Sequence, residues 1–243
     1  MFACLLFPFS LLGHDHIHIA QQNMPAVVQI NVINTQGSTL SGTGFVVNED
    51  GLIVTNRHVL QNALYTNITF NNGVTSGEAT LLAQDPQLDI ALLKIEAQRL
   101  PHVTLAQDDT VLIGQTITVI GNPRRLQNTV TSGIISQLRK QQNGVLWHQI
   151  SAPISPSSSG SPVFNEKGEV ISVAFASISG EGNQNLNFAI PVRYVRELAE
   201  KNGLTLPTVQ AKQSHPILNH LCKSWEITKR LFRRWFSPKS VEN

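Results

Sequence analysis

Short runs of β-branched and other apolar residues, separated by turn residues, recur along residues 26–190. Runs of this length, bounded by Gly, Pro, Asn and Asp, are typical of β-strands. No long helical pattern lies between them, so we predict an all-β barrel or sandwich and not a βαβ sheet. The pattern predicts strands over 26–33, 43–47, 52–55, 67–70, 79–83, 90–95, 116–120, 130–138, 145–151, 162–164, 170–177 and 186–190.

These strands fall into two sets of six, divided by residues 100–109, which carry little periodic pattern. We therefore predict two six-stranded antiparallel β-barrels, with short helices at the C-terminal end. One such helix is expected over 192–202, because Pro191 precedes it and Gly203 follows it. The predicted organisation is an apolar leader and linker over 1–22, a first barrel over 23–105, a second barrel with its helix over 106–203 and a basic tail over 204–243.

Composition and charge narrow the function classes. The 243 residues are 41% hydrophobic and 14% charged, which is typical of a globular chain that buries its own core. Cys4 and Cys222 lie at opposite ends, so no disulfide framework is expected. Of the net charge of +2, residues 204–243 carry +5 and the remainder −3. The mildly acidic body excludes a globally basic nucleic-acid surface, and no nucleic-acid partner is expected.

The N-terminal residues 1–12 are almost all apolar. As a helix of about 1.5 Å per residue they would span only about 18 Å, which is short of a bilayer core. They resemble the apolar region of a secretory signal, although the first Lys or Arg of the chain is Arg57. Two interpretations stay open, an export-signal remnant and a short membrane-dipping segment. The first is favoured and predicts an extracytoplasmic location, periplasmic or membrane-associated.

Two other features near the chain ends carry alternatives. His14, His16 and His18 would share one face of an extended strand and so offer metal ligands, but a polar linker is the favoured interpretation and no metal site is predicted. Residues 218–235 have the pattern of a basic amphipathic helix. Three roles stay open for such a helix: it docks on the body, it binds a membrane surface or a partner, or it binds nucleic acid. The last is the least favoured.

One set of residues offers the chemistry of serine hydrolysis. His58 follows the strand at 52–55, Asp89 precedes the strand at 90–95, and Ser159 lies in a Ser-rich loop. The reaction needs a hydroxyl nucleophile, an imidazole to take its proton and a carboxylate to orient that imidazole. An α/β-hydrolase order is excluded because no Asp follows Asp109 and the only later histidines lie in the tail. Asp50, which a subtilisin order would need, lies in an evident turn.

Six segments resemble the HtrA/Deg family of trypsin-like serine proteases. In chain order they are GTGFVV at 42–47, GLIVTN-R-HV at 51–59, DIALLK at 89–94, GNP at 121–123, VTSGIIS at 130–136 and NFAIPV at 187–192. The resemblance covers about residues 25–200 and implies a His58–Asp89–Ser159 triad. It also implies polypeptide substrates and, as is common in the family, assembly into trimers. The 40 residues after Gly203 are too few for the PDZ module that many members carry.

The resemblance further implies that the backbone N–H groups of Ser157 and Ser159 form the oxyanion hole. The family's Gly-Asn-Ser-Gly-Gly loop is here Ser157-Ser158-Ser159-Gly160-Ser161, so two glycines are replaced by serine. If Ser157 must adopt an unusual backbone conformation, the strain is about 1–3 kcal/mol. The hole is then either formed under strain or collapsed until substrate or a partner orders it. We expect low basal activity in both cases.

Specificity and control are also implied by the resemblance. Ile154 on one side, and Ala174, Phe175 and Ala176 on the other, are expected to line the specificity pocket. No Asp or Glu occurs between Asp109 and Glu166, so we expect cleavage after small or medium aliphatic residues and not after Lys or Arg. Ser158 replaces the aspartate that pairs with the new N-terminus in digestive-type zymogens, which excludes that activation route. Residues 177–185 are the candidate control loop.

The sequence thus predicts a serine endopeptidase that forms an acyl-enzyme and needs neither metal nor cofactor. Two alternatives stay open. One is a proteolytically inactive chaperone-like or peptide-binding module on the same fold, an alternative suggested by the two glycines that serine replaces in the Ser159 loop. The other is a membrane-surface adaptor that works through its basic tail.

Overall fold

A computed structural model of the chain describes residues 16–122, 128–180 and 183–207, with the side chains of 176–180 and 183–185 excepted. The helices in these ranges are α1 (His16–Asn23), α2 (Arg193–Lys201) and two 3₁₀ helices, Met24–Ala26 and Arg57–Leu60. The strands are β1 (Val27–Asn34), β2 (Thr39–Val46), β3 (Leu52–Asn56), β4 (Ala63–Thr69), β5 (Thr75–Glu78), β6 (Thr80–Asp85), β7 (Ile90–Lys94), β8 (Thr104–Leu105), β9 (Thr116–Gly121), β10 (Thr129–Lys140), β11 (Leu146–Ile150), β12 (Pro162–Phe164), β13 (Glu169–Gly180) and β14 (Asn183–Pro191).

The strands form two barrel-like sheets, as the sequence predicts. The first sheet has the order β5-β4-β1-β2-β3-β7-β6, and its paired neighbours run antiparallel. In the second sheet, β12-β9-β10-β11-β14-β13 closes into a six-stranded barrel through an additional pairing of β12 with β13. Strand β8 pairs in parallel with the first two residues of β13, Glu169 and Val170. The predicted all-β class is confirmed, and β5 and β8 each add a seventh strand to one of the sheets.

Alternating side chains explain how each barrel fills. In β1, Val28, Ile30 and Val32 point inward and are fully buried, because successive residues of a strand face opposite sides. They pack with Ile53, Ile68 and Leu93 in the interior of the first barrel. A second, larger cluster fills the second barrel and extends to apolar residues of β1, β2 and β3. The two barrels are therefore joined by apolar packing.

All twelve predicted strands are present, and helix α2 lies within its predicted range. Strands β5 and β8 were not predicted. Strand β8 lies inside residues 100–109, which we expected to act only as a linker. Its short Thr104–Leu105 pairing with Glu169–Val170 carries no pattern that a single sequence reveals.

The segment expected to be a polar linker is instead helix α1, packed on the body. Ile19 and Ala20 of this helix are buried in the core, and the His16 Nδ1 atom lies 2.7 Å from the Thr118 hydroxyl oxygen. On a helix, His16 and His18 are two residues apart and do not face one another. The extended-strand metal geometry is therefore wrong for them, and His14 lies outside the described residues.

Residues 177–185, expected to form a flexible loop, belong largely to a hairpin. Strand β13 reaches Gly180 and strand β14 begins at Asn183, and these two residues are paired. Residues 181 and 182 lie outside the description. Residues 1–12 and 208–243, with the leader and the basic tail, lie outside it as well. None of the helices that the structure describes is long and apolar enough to cross a membrane.

Candidate active site

The register of two neighbouring strands brings His58 and Asp89 together. Strand β3 ends at Asn56, which pairs with Ile90, the first residue of β7. Because the strands are antiparallel, Arg57 and His58, which follow β3, meet Asp89, which precedes β7, at the same edge of the sheet. Residues 31 positions apart in the chain are therefore neighbours.

Two hydrogen bonds join His58 to the Asp89 carboxylate. The backbone N–H of His58 donates to Oδ1 at 2.8 Å, and the imidazole Nδ1 lies 2.6 Å from Oδ2. Asp89 has a left-handed backbone, with φ of +54°, and its carbonyl accepts from Arg57 N–H and Asn56 Nδ2. This two-point contact fixes the plane of the carboxylate. The His58 side chain itself is 42% exposed and open to a ligand.

The Ser159 loop connects β11 to β12 and begins with a tight turn. The N–H of Ser158 donates to the Ser155 carbonyl at 2.9 Å, with Pro156 at the second position of the turn. Ser157 stands at the third position, with φ of +72°. A proline followed by a residue of positive φ fits a type II turn, which ordinarily places glycine at that third position. Ser157 thus has an unusual backbone conformation that carries strain for a residue other than glycine.

Strand β2 of the first barrel holds this loop. The N–H of Thr43 donates to the Ser159 carbonyl at 2.9 Å, and the Thr43 hydroxyl donates to the Ser157 carbonyl at 2.9 Å. The Ser41 hydroxyl donates to the Ser157 hydroxyl at the longer distance of 3.4 Å. The serine loop of the second barrel is thereby tied to the barrel that carries His58 and Asp89.

Gly160 allows the close approach of these two barrels. It has φ of +88°, and a Cβ at this position would lie 2.0 Å from the Thr43 carbonyl oxygen and 2.5 Å from the Thr55 hydroxyl. Thr55 belongs to β3, three residues before His58. The loop therefore packs beside Thr55 near the end of β3, the strand that precedes His58 in the chain.

The hydroxyl of Ser159 donates to the Phe175 carbonyl at 3.3 Å. Within the described ranges no hydrogen bond joins it to His58. The N–H groups of Ser157 and Ser159 donate to no acceptor in those ranges either, so two backbone donors are open to a ligand. The arrangement offers a hydroxyl, an oriented imidazole on the adjoining barrel and two free N–H groups.

The residues expected to line a specificity pocket divide into three kinds. Ile154 and Phe175 are half-buried and pack against the core. Ala174 is fully buried, so its side chain is closed to a substrate, and its backbone instead pairs with Gly160 and Ser161. The side chain of Ala176 is not among those described.

An aromatic cluster supports the Phe175 wall. The Trp147 ring stands edge-on to Phe175 with centroids 4.8 Å apart, and lies 5.7 Å from Phe188. Next to Trp147, the buried His148 has its Nδ1 atom 2.6 Å from the Ser172 hydroxyl. Burial, together with the nearby Arg193 charge, lowers the pKa of His148 to about 4. This histidine is therefore neutral at physiological pH.

Three residues that support the serine loop were not singled out from the sequence, namely Ser41, Thr43 and Asn122, whose N–H donates to the Thr43 hydroxyl at 3.0 Å. The last two lie in segments that carried the family resemblance, GTGFVV and GNP, and this was the only signal available. Their contacts join residues far apart in the chain, which no local pattern reveals. Within the described ranges no three His, Cys, Asp or Glu side chains gather to hold a metal ion.

Comparison with known proteins shows to which family the chain is similar. Residues 42–173 match the family model of the trypsin-like peptidase domain. The chain is 40% identical over 161 residues to a probable periplasmic serine endoprotease DegP-like of Chlamydia trachomatis, covering 64% of this chain and 32% of that protein. It is 38% identical over 200 residues to the putative serine protease HhoB of Synechocystis, covering 79% and 46%. The chain thus spans less than half the length of these curated relatives.

Solved structures show the same architecture. The HtrA-type protease AlgW with tripeptide superposes with a TM-score of 0.71 at 29% identity, covering 76% of this chain and 62% of that one. The serine endoprotease from Yersinia pestis gives a TM-score of 0.68 at 32% identity, covering 77% and 66%.

Proposed function

Because the chain belongs to the trypsin-like peptidase family and is similar to its HtrA-type members, we propose that it is a serine endopeptidase acting on unfolded or exposed polypeptide. The observation that carries the proposal is the two-point hydrogen bonding of Asp89 to His58 beside the Ser159 loop. A carboxylate so placed fixes the imidazole tautomer that has its free nitrogen, Nε2, ready to accept a proton.

The proposed reaction has two halves. The Ser159 hydroxyl oxygen attacks the substrate carbonyl carbon while its proton passes to His58 Nε2. The tetrahedral intermediate then breaks its C–N bond, the amine leaves with the proton from His58, and an acyl-enzyme remains. Water attacks the acyl carbon with His58 again taking the proton, which returns to the Ser159 oxygen as the acid product leaves. No metal or cofactor enters these steps.

In this proposal the N–H groups of Ser157 and Ser159 receive the developing oxyanion. Backbone donors are effective because they are already oriented before the charge forms. Two features of the structure support the assignment, namely the absence of a described acceptor for either N–H and the left-handed backbone of Ser157.

Low basal activity is part of the proposal. The Ser159 hydroxyl is bonded to the Phe175 carbonyl and must turn away from it to reach His58. Catalytic hydrogen bonds of ligand-free enzymes often tighten only when substrate binds. The strained Ser157 adds a second reason, since a serine is less stable than glycine at this φ.

We further propose that the residue before the cleaved bond is small or medium aliphatic. The half-buried Ile154 and Phe175, with the aromatic support behind Phe175, make an apolar wall. A pocket that binds a Lys or Arg side chain needs a buried carboxylate to pair with its charge. The sequence has no Asp or Glu between Asp109 and Glu166 that could supply one. Sequencing the products from a mixed peptide library tests this, and a preference for Arg would contradict it.

A fluorophosphonate probe tests the proposed activity. The wild type is expected to be labelled at Ser159 and to cleave unfolded casein slowly, while Ser159→Ala shows neither. Ser158→Ala, one residue away, is the matched control and should still be labelled. Binding of casein without labelling or cleavage would favour the peptide-binding alternative, which is suggested by the serine at position 157 in place of the family's glycine.

Location and assembly are further parts of the proposal. The name of the Chlamydia trachomatis relative places that protein in the periplasm, and we propose an extracytoplasmic location here as well. Cell fractionation tests it. A trimer, proposed from the resemblance, is tested by light scattering on the full chain. Co-sedimentation with anionic liposomes, with and without residues 215–243, tests the proposed membrane contact of the basic tail.

A further inference from the structure

Thr43 is a point where several hydrogen bonds of the site meet. It is fully buried, and its N–H and hydroxyl donate to the carbonyls of Ser159 and Ser157. Its hydroxyl oxygen also accepts from the N–H of Asn122 at 3.0 Å, and its carbonyl accepts from the Thr55 hydroxyl at 2.7 Å. A single residue of the first barrel thus touches the carbonyls on both sides of the Ser158 position.

The directions of the bonds to the Thr43 hydroxyl are fixed by chemistry. The N–H of Asn122 can only donate, and the Ser157 carbonyl can only accept. The hydroxyl therefore receives a hydrogen bond from Asn122 and passes its own proton toward Ser157, with no alternative arrangement. Because all three groups lie at or near the buried junction of the barrels, losing the hydroxyl would leave a donor and an acceptor unpaired.

The Ser157 backbone has reason to need this support. A turn of this kind converts to the type I form when the peptide between Pro156 and Ser157 rotates, and the third residue then has negative φ. Serine prefers negative φ, whereas the family's glycine tolerates both. The N–H of Ser157 belongs to the rotating peptide, so the conversion would turn this donor away from an oxyanion.

We propose that Thr43 is a positioning residue for the oxyanion hole. Its hydroxyl holds the Ser157 carbonyl, and this hydrogen bond maintains the orientation of the Ser157 and Ser159 N–H groups. Thr43 acts through the loop and touches no reacting atom. The inference rests on the proposed function of these two N–H groups.

The test compares Thr43→Val, which keeps the shape and removes the hydroxyl, with Thr43→Ser, which keeps the hydroxyl. Thr66→Val is the matched control, because Thr66 is a buried threonine of β4, a strand that carries no residue of the site. The full chain is labelled with a fluorophosphonate over a range of probe concentrations and pH. Each rate is divided by the folded fraction from thermal unfolding.

We expect Thr43→Val to lower the maximal labelling rate on the order of 10- to 100-fold, since misplaced donors stabilise the oxyanion poorly. The probe concentration at half-maximal rate should not change, because ground-state binding is untouched. The pH midpoint should also stay, because Thr43 contacts neither His58 nor Asp89. Thr43→Ser should recover the rate to within about threefold, and Thr66→Val should equal the wild type.

Several results would overturn the inference. A folded Thr43→Val enzyme labelled within about twofold of the wild-type rate would do so, as would a Thr43→Ser enzyme as slow as the valine variant. If Thr43→Val does not fold, Thr43→Ala is measured in its place under the same criteria. A wild type that is not labelled at Ser159 at all would instead refute the proposed function, and this inference with it.

Discussion

The Asp89 carboxylate is bonded to His58 twice, at 2.8 Å through the backbone N–H and at 2.6 Å through Nδ1. The backbone bond does more than add stability. Oδ1 accepts from the backbone N–H of His58, a group that can only donate, and Oδ2 is therefore the oxygen that faces the imidazole. The orientation of whatever side chain stands at position 89 is thereby constrained.

This constraint makes Asp89→Asn a specific test. The asparagine must present its oxygen to the His58 N–H, so its amide NH₂ faces Nδ1 and forces that nitrogen to be the acceptor. The proton then moves to Nε2, which can no longer accept from Ser159. We expect the fluorophosphonate labelling rate to fall about 10³- to 10⁴-fold with folding retained.

The control for Asp89→Asn is Asp50→Asn, an exposed carboxylate in the turn before β3. Its labelling rate should equal that of the wild type. A labelling rate of Asp89→Asn within tenfold of this control would mean that Asp89 does not orient a catalytic imidazole.

Position 157 should rank substitutions by their tolerance of positive φ. Glycine adopts the observed φ of +72° without strain, serine with moderate strain, and a β-branched valine only as a severe outlier. We expect Ser157→Gly to be labelled at least as fast as the wild type. Its free energy of unfolding should equal that of the wild type or exceed it by up to about 1 kcal/mol. Ser157→Val should lose about 1–3 kcal/mol and most of its labelling.

The comparison of Ser157→Gly with Ser157→Val is made by denaturant unfolding and labelling on the same preparations. Equal stability and equal rates in the two variants would show that the left-handed turn is not needed. A wild type that is labelled faster than Ser157→Gly would contradict the expectation of a strained hole.

Gly160 combines a positive φ with a close approach, and a second glycine separates the two effects. Gly73 has a similar φ of +81°, but a Cβ there would meet nothing within 4 Å. Gly73→Ala should therefore cost only the backbone strain, about 1 kcal/mol. Gly160→Ala adds a clash with the Thr43 carbonyl and should cost at least 2 kcal/mol more. Thermal unfolding measures both, and equal losses would mean that the barrels do not meet closely at Gly160.

The fold was largely predictable from the sequence, because alternation in strands such as β1 directly reports which face is buried. Strand β8 was not, since two residues in a parallel pairing carry no period. Helix α1 was missed for a related reason. Its short His16–Asn23 segment has little amphipathic pattern, and it is stabilised by the packing of Ile19 and Ala20 in the core and not by propensity.

The candidate site was predictable in its residue types but not in its connections. His58, Asp89 and Ser159 follow from the motifs, and the β3–β7 register explains the first pair. The tie from Thr43 to Ser157 joins residues 114 positions apart through one hydroxyl. Such a contact depends on how the two barrels dock, which a single sequence does not encode in any readable pattern.

His148 is buried next to Ser172, and its burial, together with the nearby Arg193 charge, lowers its pKa to about 4 from the ordinary 6.5. In the unfolded chain this imidazole takes up a proton as the pH falls through about 6.5, whereas in the folded protein it stays neutral until about pH 4. The unfolded state is therefore favoured progressively as the pH falls from about 6.5 toward 4. The loss from this group should reach about 2–3 kcal/mol near pH 4.5.

Denaturant unfolding at pH 7.5 and pH 4.5 measures this loss. His148→Gln removes the titrating group, so its free energy of unfolding should fall less between the two pH values than that of the wild type, by about 2–3 kcal/mol. The variant is expected to be less stable than the wild type at pH 7.5, because the glutamine fits the aromatic and Ser172 surroundings poorly, but this offset does not alter the difference between the two pH values. His102→Gln, at an exposed histidine, is the matched control for the substitution itself. A His148→Gln protein with the full wild-type acid loss would mean that other groups cause it and that His148 is protonated in the folded protein.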